Sequence, residues 1–542
     1  MDMNKVVDND EIEIEQLDKR VEKQVDDLNT QTTLGESCEI GPLTELQRRE
    51  ESFIIRKDAA LFQKNLPLPG HPCNGDEDLY ANKIGNYSKA LPHNELGEVD
   101  VNAYRYWIKA LTTGNNDSFE DIPLGGVTKF VNPQAAYAYD LTGPDSHHLS
   151  MIAAPAFNSA WIASEMAENY WQALTRDVPF TEYDSNSLTI AAASDLSKFT
   201  DFRGPKVHGE VTTGTLFRGN TPSDIKGPYI SQFLWKEVPF GAKSVSQRYR
   251  TTEAGDDHMT VYDEWLNIQN GGYPSENNKF DSIYRYIRNG RDLGEWVHRD
   301  YTYQGVLDAC LILMSYGPKA IAAENPYLCS KTQLGFITFG AAHILDLVTH
   351  AARVALEAAW FQKFLVHRRL RPEEFGGRIQ NNLIGVTSYP INSELLDSKA
   401  VSNVYSIYGS YLLPMAYAEG CPTHTAYPAG HACIVGAGVT MLKAFFDESF
   451  IIPNPVIASY DGQCLLPYSD ETLTLGGELN KLASNISLGR DFAGVHWRSD
   501  GAEGLKLGEA VAIGILQDYR NTYNEKFSGF SFTKFDGTTI II

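Results

Sequence analysis

Residues His343–Pro372 read HILDLVTHAARVALEAAWFQKFLVHRRLRP, a long helical pattern that ends in a cluster of cations. Leu347, Ala351, Ala355, Ala358 and Ala359 recur at helical spacing, and their small side chains let a neighbouring helix approach closely. Lys363, His367 and Arg371 stand at i, i+4 and i+8, which predicts one stripe if the helix reaches that far. Pro372 disfavours helical geometry at Arg371, so the helix is expected to end there. Cations at a helix C-terminus also complement its dipole. A solvated basic helix end has the same pattern, so this segment alone fixes no chemistry.

Working outward, helical patterns dominate. Asn158–Leu174 places Ile162, Met166, Ala167, Tyr170 and Leu174 on one face, and Ser187–Leu196 is a shorter candidate. Further helices are expected at about 280–318, 337–370, 431–447, 476–488 and 502–523. Residues 203–280 are rich in Gly, Pro and Thr and read as an irregular excursion with short strands. The terminal FSFTKFDGTTIII, with Asp536-Gly537 between β-prone residues, predicts a hairpin. No internal repeat and no linker divides the chain. The expected organisation is an acidic arm over 1–50, suited to subunit contacts, followed by a single helical body over 51–542.

Composition narrows the function. The arm carries 14 acidic and 6 basic side chains and few large apolar groups, the pattern of a solvated segment. A net charge of −23 over 542 residues argues against nucleic acid or anionic membrane surfaces as partners. No apolar run reaches the roughly 18 residues of a membrane span. The N-terminal residues lack the apolar centre of a secretion signal, so the expectation is a soluble protein, cytoplasmic or exported by another route. Seven cysteines without CxxC spacing exclude zinc-ribbon and thioredoxin-like readings. Most are expected to be reduced, although the odd count leaves open an intersubunit disulfide through Cys38.

Two later segments change the meaning of the first. Tyr427–Ala432 (YPAGHA) precedes an apolar helix, whose first N–H groups have no partner within the helix and can bind an oxyanion. Gly430 would let the backbone approach such a ligand, and His431 would stand beside it with a pKa suited to proton transfer. His424 lies seven residues earlier in the loop. Gly489–Asp500 (GRDFAGVHWRSD) adds Arg490, with His496 six residues on and Asp500 four beyond that. On a helix, or across a break at Gly494, Asp500 could bond one imidazole nitrogen of His496 and raise the ligand strength of the other. Together the segments supply an ammonium, two guanidiniums, a helix start and two imidazoles for one tetrahedral oxyanion.

In this order the segments resemble the signature shared by vanadium haloperoxidases and type 2 phosphatidic-acid phosphatases. The matching residues are Lys363, Arg371-Pro372, Gly430-His431, Arg490, His496 and Asp500. The loop CPTHTAYPAGHA with His424, and the stretches LFRGNTPSDIKGPYISQFLW (216–235), VPFG (238–241), GFITFG (335–340) and FQKFLVHRRLRPEEFGGR (361–378), are similar to the algal and cyanobacterial bromoperoxidases. The likeness spans roughly residues 50–525. It implies an all-α fold, two four-helix bundles in one body with long irregular insertions and a few short β-hairpins, and a site within 363–500.

The resemblance also implies roles. His496 binds vanadium axially. Lys363, Arg371, Arg490 and the Gly430 N–H neutralise the oxygens of vanadate, and phosphate can take its place. His431 is the acid–base group, Lys363 polarises peroxide, and His424 tunes halide use. Asp500 stands behind His496. Ala429 departs from the pattern, because the family has a serine hydroxyl there. The implied reaction oxidises bromide or iodide with hydrogen peroxide to hypohalous acid, which halogenates small organic acceptors. Homo-oligomers are implied, and calcium occurs in some relatives, although no compact carboxylate loop marks a site for it. The alternative is a phosphomonoesterase using the same pocket, with His496 as nucleophile and His431 protonating the leaving group. A non-catalytic oxyanion-binding protein is a third class.

Overall fold

A computed structural model describes residues 40–542. By internal contacts the chain divides into Met1–Asp58 and Ala59–Ile542. In the first unit the described residues form the opening turns of helix α1 (Glu45–Lys64), where Leu46, Phe53 and Ile54 are exposed. Cys38 and most of the acidic arm lie outside the described residues.

The second unit is built from helices. Its principal ones are α2 (Val101–Thr113), α3 (Ala160–Thr175), α4 (Ser187–Leu196), α5 (Gly290–Arg299), α6 (Gln304–Ser315), α7 (Ala341–Phe361), α8 (Pro372–Leu383), α9 (Gly430–Phe445), α10 (Leu475–Phe492) and α11 (Arg498–Arg520). Three two-stranded antiparallel hairpins accompany them: Val238–Phe240 with Lys243–Val245, Val456–Ala458 with Leu465–Pro467, and Ser531–Thr533 with Thr539–Ile541. The all-α expectation with short hairpins is met, and the last hairpin turns at Asp536-Gly537 as its sequence predicted. No helix among the described residues is long and apolar enough to cross a membrane. The six described cysteines are free thiols, with Cys310, Cys421 and Cys433 buried and Cys73, Cys329 and Cys464 exposed.

Several boundaries differ from the sequence reading. Residues 280–289 are not helical, and the expected helix over 280–318 is two helices separated at Asp300–Tyr303. The irregular excursion contains one α-helix, Tyr262–Gln269, and a 3-10 turn at Gln232–Leu234. The largest difference lies in the opening stretch. α7 ends at Phe361, a π-turn occupies Gln362–His367, and Arg368 adopts φ 41°. Lys363, His367 and Arg371 therefore do not form one helical stripe. The wide turn and the left-handed residue re-aim each side chain separately, a device frequent at functional sites. Arg371 is extended at the N-cap of α8 with Pro372 at the first helical position, as the proline required.

The core is a close assembly of α7, α9 and α11, with α10 packed on α9 and α5. α7 buries Ala351, Ala352, Ala355, Ala358 and Ala359, so the apolar periodicity of the sequence is the packing face. Where α9 meets α11 the contact is backbone on backbone. A Cβ on Gly508 would lie 2.1 Å from the Cys433 carbonyl oxygen and 2.7 Å from the Ala437 nitrogen. Helix propensity alone favours alanine over glycine by about 1 kcal/mol. The clash reverses that sign. Gly508→Ala is expected to destabilise the protein by about 1–3 kcal/mol, read as a lower thermal midpoint, and a higher midpoint would refute the close helix contact.

Candidate active site

The three segments converge on one cavity of about 510 Å³, lined by His298, Arg299, Asp300, Thr302, Leu356, Trp360, Tyr417, Glu419, Gly420, Pro422, His424, Gly430, His431, Ile434, Arg490 and His496. Lys363 and Arg371 lie behind this lining, both fully buried. Each site residue singled out in the sequence falls in or against this place. His367, the middle of the supposed stripe, does not. Its ring meets the edge of Tyr427 at 4.7 Å, and its Nε2 has no hydrogen-bond partner.

Cations dominate the floor. Lys363 Nζ donates to the carbonyls of Thr425 (2.7 Å) and Ala426 (2.9 Å). An ammonium has three N–H donors, so one remains. Arg371 donates from Nη1 to Val495 O (2.6 Å) and His496 Nε2 (2.9 Å), and from Nη2 to His424 Nδ1 (3.0 Å) and His424 O (2.9 Å). Arg490 donates to Val297 O at 2.7 Å, stands 5.5 Å from the Tyr417 ring centroid, and keeps an unpartnered Nε. Among the described residues none of these three cations has a carboxylate partner. Other buried cations do: Arg369, Arg291 and Arg498 are all paired with carboxylates. Burying unpaired charge is costly, so a cluster of three asks for an anion. Burial first, then the Arg371 charge, pushes the Lys363 pKa well down, and a bound anion would push it back up.

Backbone donors complete the cradle. The N-cap of α9 is Ala429, which offers no side-chain cap, and the first helical bond runs from Cys433 N to Ala429 O. The N–H groups of Gly430, His431 and Ala432 thus have no intrahelical acceptor. A Cβ on Gly430 would sit 3.3 Å from Leu356 Cδ2 and 3.4 Å from a Trp360 ring carbon, so the wall is tight there. The residues present fit a tetrahedral oxyanion by donor type and charge.

His496 sits in the break between α10 and α11, where Gly494 adopts φ 82°. Its Nδ1–H donates to Asp500 Oδ2 at 2.8 Å, while Nε2 accepts from Arg371. That pair of bonds selects the neutral tautomer with its lone pair on Nε2. Burial, Arg371 and Lys363 all push the His496 pKa well below its usual value, and His424 is lowered by burial, Lys363 and Arg371. Asp500 also caps α11 through Trp497 N (3.1 Å) and pairs with Arg369 Nη1 (2.7 Å). Burial raises the Asp500 pKa, and Arg369 opposes it.

Sequence reasoning missed several members. Asp300 Oδ1 accepts from His431 Nε2 at 3.0 Å, yet it precedes the first segment by more than forty residues and forms no short motif. Trp360 packs against His424 with ring centroids 5.0 Å apart. Arg369 was visible in the run RRLRP, but spacing could not separate it from Arg368, which instead pairs with Glu77. Glu165 on α3 completes the Arg369 pair at 2.8 Å.

A family model described as the VCPO second helical-bundle domain matches residues 347–525. The vanadium-dependent bromoperoxidase of Corallina pilulifera is 36% identical, covering 92% of this chain and 100% of that one. This chain belongs to the vanadium haloperoxidase family. A further relative within the family, the vanadium-dependent bromoperoxidase of Ascophyllum nodosum, is 34% identical over 91% of this chain and 92% of its own. The homohexameric structure of the second vanadate-dependent bromoperoxidase from Ascophyllum nodosum superposes with a TM-score of 0.89 at 31% identity, covering 95% of each chain. The haloperoxidase assignment thus rests on nearly the whole chain.

Two buried neutral histidines contribute acid sensitivity. His367 and His93 fall from 6.5 to about 3 through burial, helped by nearby arginines. At these two positions the unfolded chain therefore binds more protons than the folded one below pH 6.5, and their contribution to stability falls as pH drops from there toward 3. For His367→Gln the slope of unfolding free energy against pH over that window is expected to flatten, by on the order of 1 kcal/mol per pH unit. An unchanged slope would refute the neutral buried imidazole.

Proposed function

We propose that this chain is a vanadium-dependent bromoperoxidase, converting hydrogen peroxide, bromide and a proton to hypobromous acid and water, with iodide as an alternative halide. The observation that carries the reading is the buried trio Lys363, Arg371 and Arg490 without carboxylate partners, facing a neutral imidazole nitrogen and an uncapped helix start. The family membership supports the same activity. Hypobromous acid would then halogenate electron-rich organic acceptors.

Vanadate would be held by His496 Nε2, with its oxygens neutralised by Lys363, Arg371, Arg490 and the Gly430 N–H. When bound it supplies a Lewis-acidic vanadium(V) centre for peroxide activation without a change of oxidation state. His431 is the proton-transfer group. Asp300 holds its Nε2–H, which leaves Nδ1 to take a proton and stabilises the imidazolium that results. The spare N–H of Lys363 would polarise peroxide oxygen toward halide attack. His424, pinned by Arg371 and covered by Trp360, would set how halide approaches. Ala429 supplies no hydroxyl, so one charge-assisted hydrogen bond of about 1.5–3 kcal/mol is missing relative to the family's serine.

Residues 51–542 form the haloperoxidase domain and 1–50 a subunit-contact arm in a homo-oligomer. The exposed apolar Leu46, Phe53, Ile54 and Phe62 of α1 support such contacts, and Cys38 would supply any intersubunit disulfide. Kinship with type 2 phosphatidic-acid phosphatases through the shared oxyanion pocket implies that phosphate can occupy the site of the metal-free protein.

Bromination of a phenolic or dione dye by peroxide, before and after vanadate is added to stripped protein, tests the activity. Vanadate is expected to switch bromination on; inactivity in both states with fast phosphate-ester turnover would establish the phosphomonoesterase instead. His496→Ala should abolish vanadate retention, whereas His424→Ala should retain vanadate and change halide preference, and equal loss in both would overturn their separate roles. Asp300→Asn should bind vanadate normally but lose about 10²-fold or more in kcat with a shifted pH profile. An unaltered profile would remove Asp300 from proton transfer.

A further inference from the structure

Apart from the oxyanion cavity, the short 3-10 turn Ser146–His148 carries a second set of metal-type ligands. Asp145, His147 and His148 each offer one ligand atom, and the three atoms lie within 4.8 Å of one another. Asp145 is the N-cap of the turn, a position where an aspartate ordinarily accepts from a backbone N–H. Its side chain makes no such bond. The carboxylate faces His148 Nδ1 at 3.7 Å, beyond hydrogen-bond length. That nitrogen is itself buried without a hydrogen-bond partner, on a side chain only 4% exposed. A buried polar atom left unpartnered needs an explanation, and an unplaced ion is one.

The surroundings hold the backbone of the turn in place. The His147 and His148 ring centroids are 4.3 Å apart, and the carbonyl of His147 accepts from His71 Nε2 at 3.1 Å. One residue further on, the carbonyl of Leu149 accepts from Gln362 Nε2 at 2.8 Å.

We propose that Asp145, His147 and His148 form a binding site for a divalent transition-metal ion of the zinc class, distinct from the oxyanion cavity. Two imidazoles and one carboxylate suit zinc and its first-row neighbours, whereas calcium and magnesium take oxygen ligands. Zinc bonds of about 2.0–2.2 Å in a tetrahedron place ligand atoms roughly 3.4 Å apart. The trio would therefore close in on the ion, with the partly exposed Asp145 and His147 moving toward the more buried His148 side chain, and water would complete the shell. An ion here ties both ends of the turn together. It braces the segment that Gln362 holds, next to the buried Lys363.

The full-length, vanadate-loaded protein, wild type and the Asp145→Asn and His147→Ala variants, is titrated with zinc by calorimetry and with cobalt by absorption. One tight equivalent is expected in the wild type, with cobalt bands of a low-symmetry nitrogen–oxygen site, and binding weaker by at least about 100-fold in each variant. Zinc should raise the thermal midpoint of the wild type and leave both variants unmoved. Equal uptake by all three proteins, or none by the wild type, overturns the site. Anomalous diffraction at the zinc edge on wild-type crystals gives a reading independent of variant folding: a peak among the three side chains supports the proposal, and a peak only elsewhere refutes it.

Discussion

The Asp500 carboxylate is the constraint on which the pocket depends. It accepts from His496 Nδ1, Arg369 Nη1 and the Trp497 N–H, and so fixes an imidazole tautomer, neutralises a buried guanidinium and starts helix α11 at once. Glu165 completes the Arg369 pair, and His496 passes the order on to Arg371 and from there to His424. Removing one partner from a buried pair of this kind costs about 3–5 kcal/mol. The chain from Glu165 to His424 joins α3, the π-turn region, the α10–α11 break and the histidine loop, so the site is rigid because four separate pieces of chain share it.

This support leaves the binding charges free. Arg369 is neutralised and serves architecture, while Lys363, Arg371 and Arg490 keep carbonyl, imidazole and ring partners only. In a chain of net charge −23 that local excess of positive charge is what lets an oxyanion approach. The same desolvation that makes the trio costly strengthens its hold on an anion. Catalysis is then a matter of preorganisation, since the donors are fixed before any ligand arrives.

Helix packing and chemistry are coupled through the close contacts of α7, α9 and α11. Gly508 lets α11 lie against the backbone of α9, which fixes Gly430 and His431 at the cavity. The π-turn after Phe361 then delivers Lys363 from α7 to the same place. A regular helix would have kept Lys363, His367 and Arg371 on one face, with three cations or proton carriers side by side. The irregular turn sends His367 away to Tyr427 and lets the chain return through Pro372 with Arg371 beneath His496.

The sequence by itself determined the helical class and the terminal hairpin, because apolar periodicity and turn motifs are local and survive in linear spacing. Lys363, Arg371, His424, Ala429, Gly430, His431, Arg490, His496 and Asp500 were singled out in three short segments by the resemblance those segments carry, not by periodicity. Only the tertiary structure decided that Asp300 holds His431, that Arg369 rather than Arg368 braces Asp500, and that the basic stripe is broken. Those outcomes depend on where a carboxylate more than a hundred residues away comes to lie and on a π-turn of six residues. Long-range electrostatic pairing and local backbone strain leave no periodic trace in a chain, which is why the geometry had to be seen.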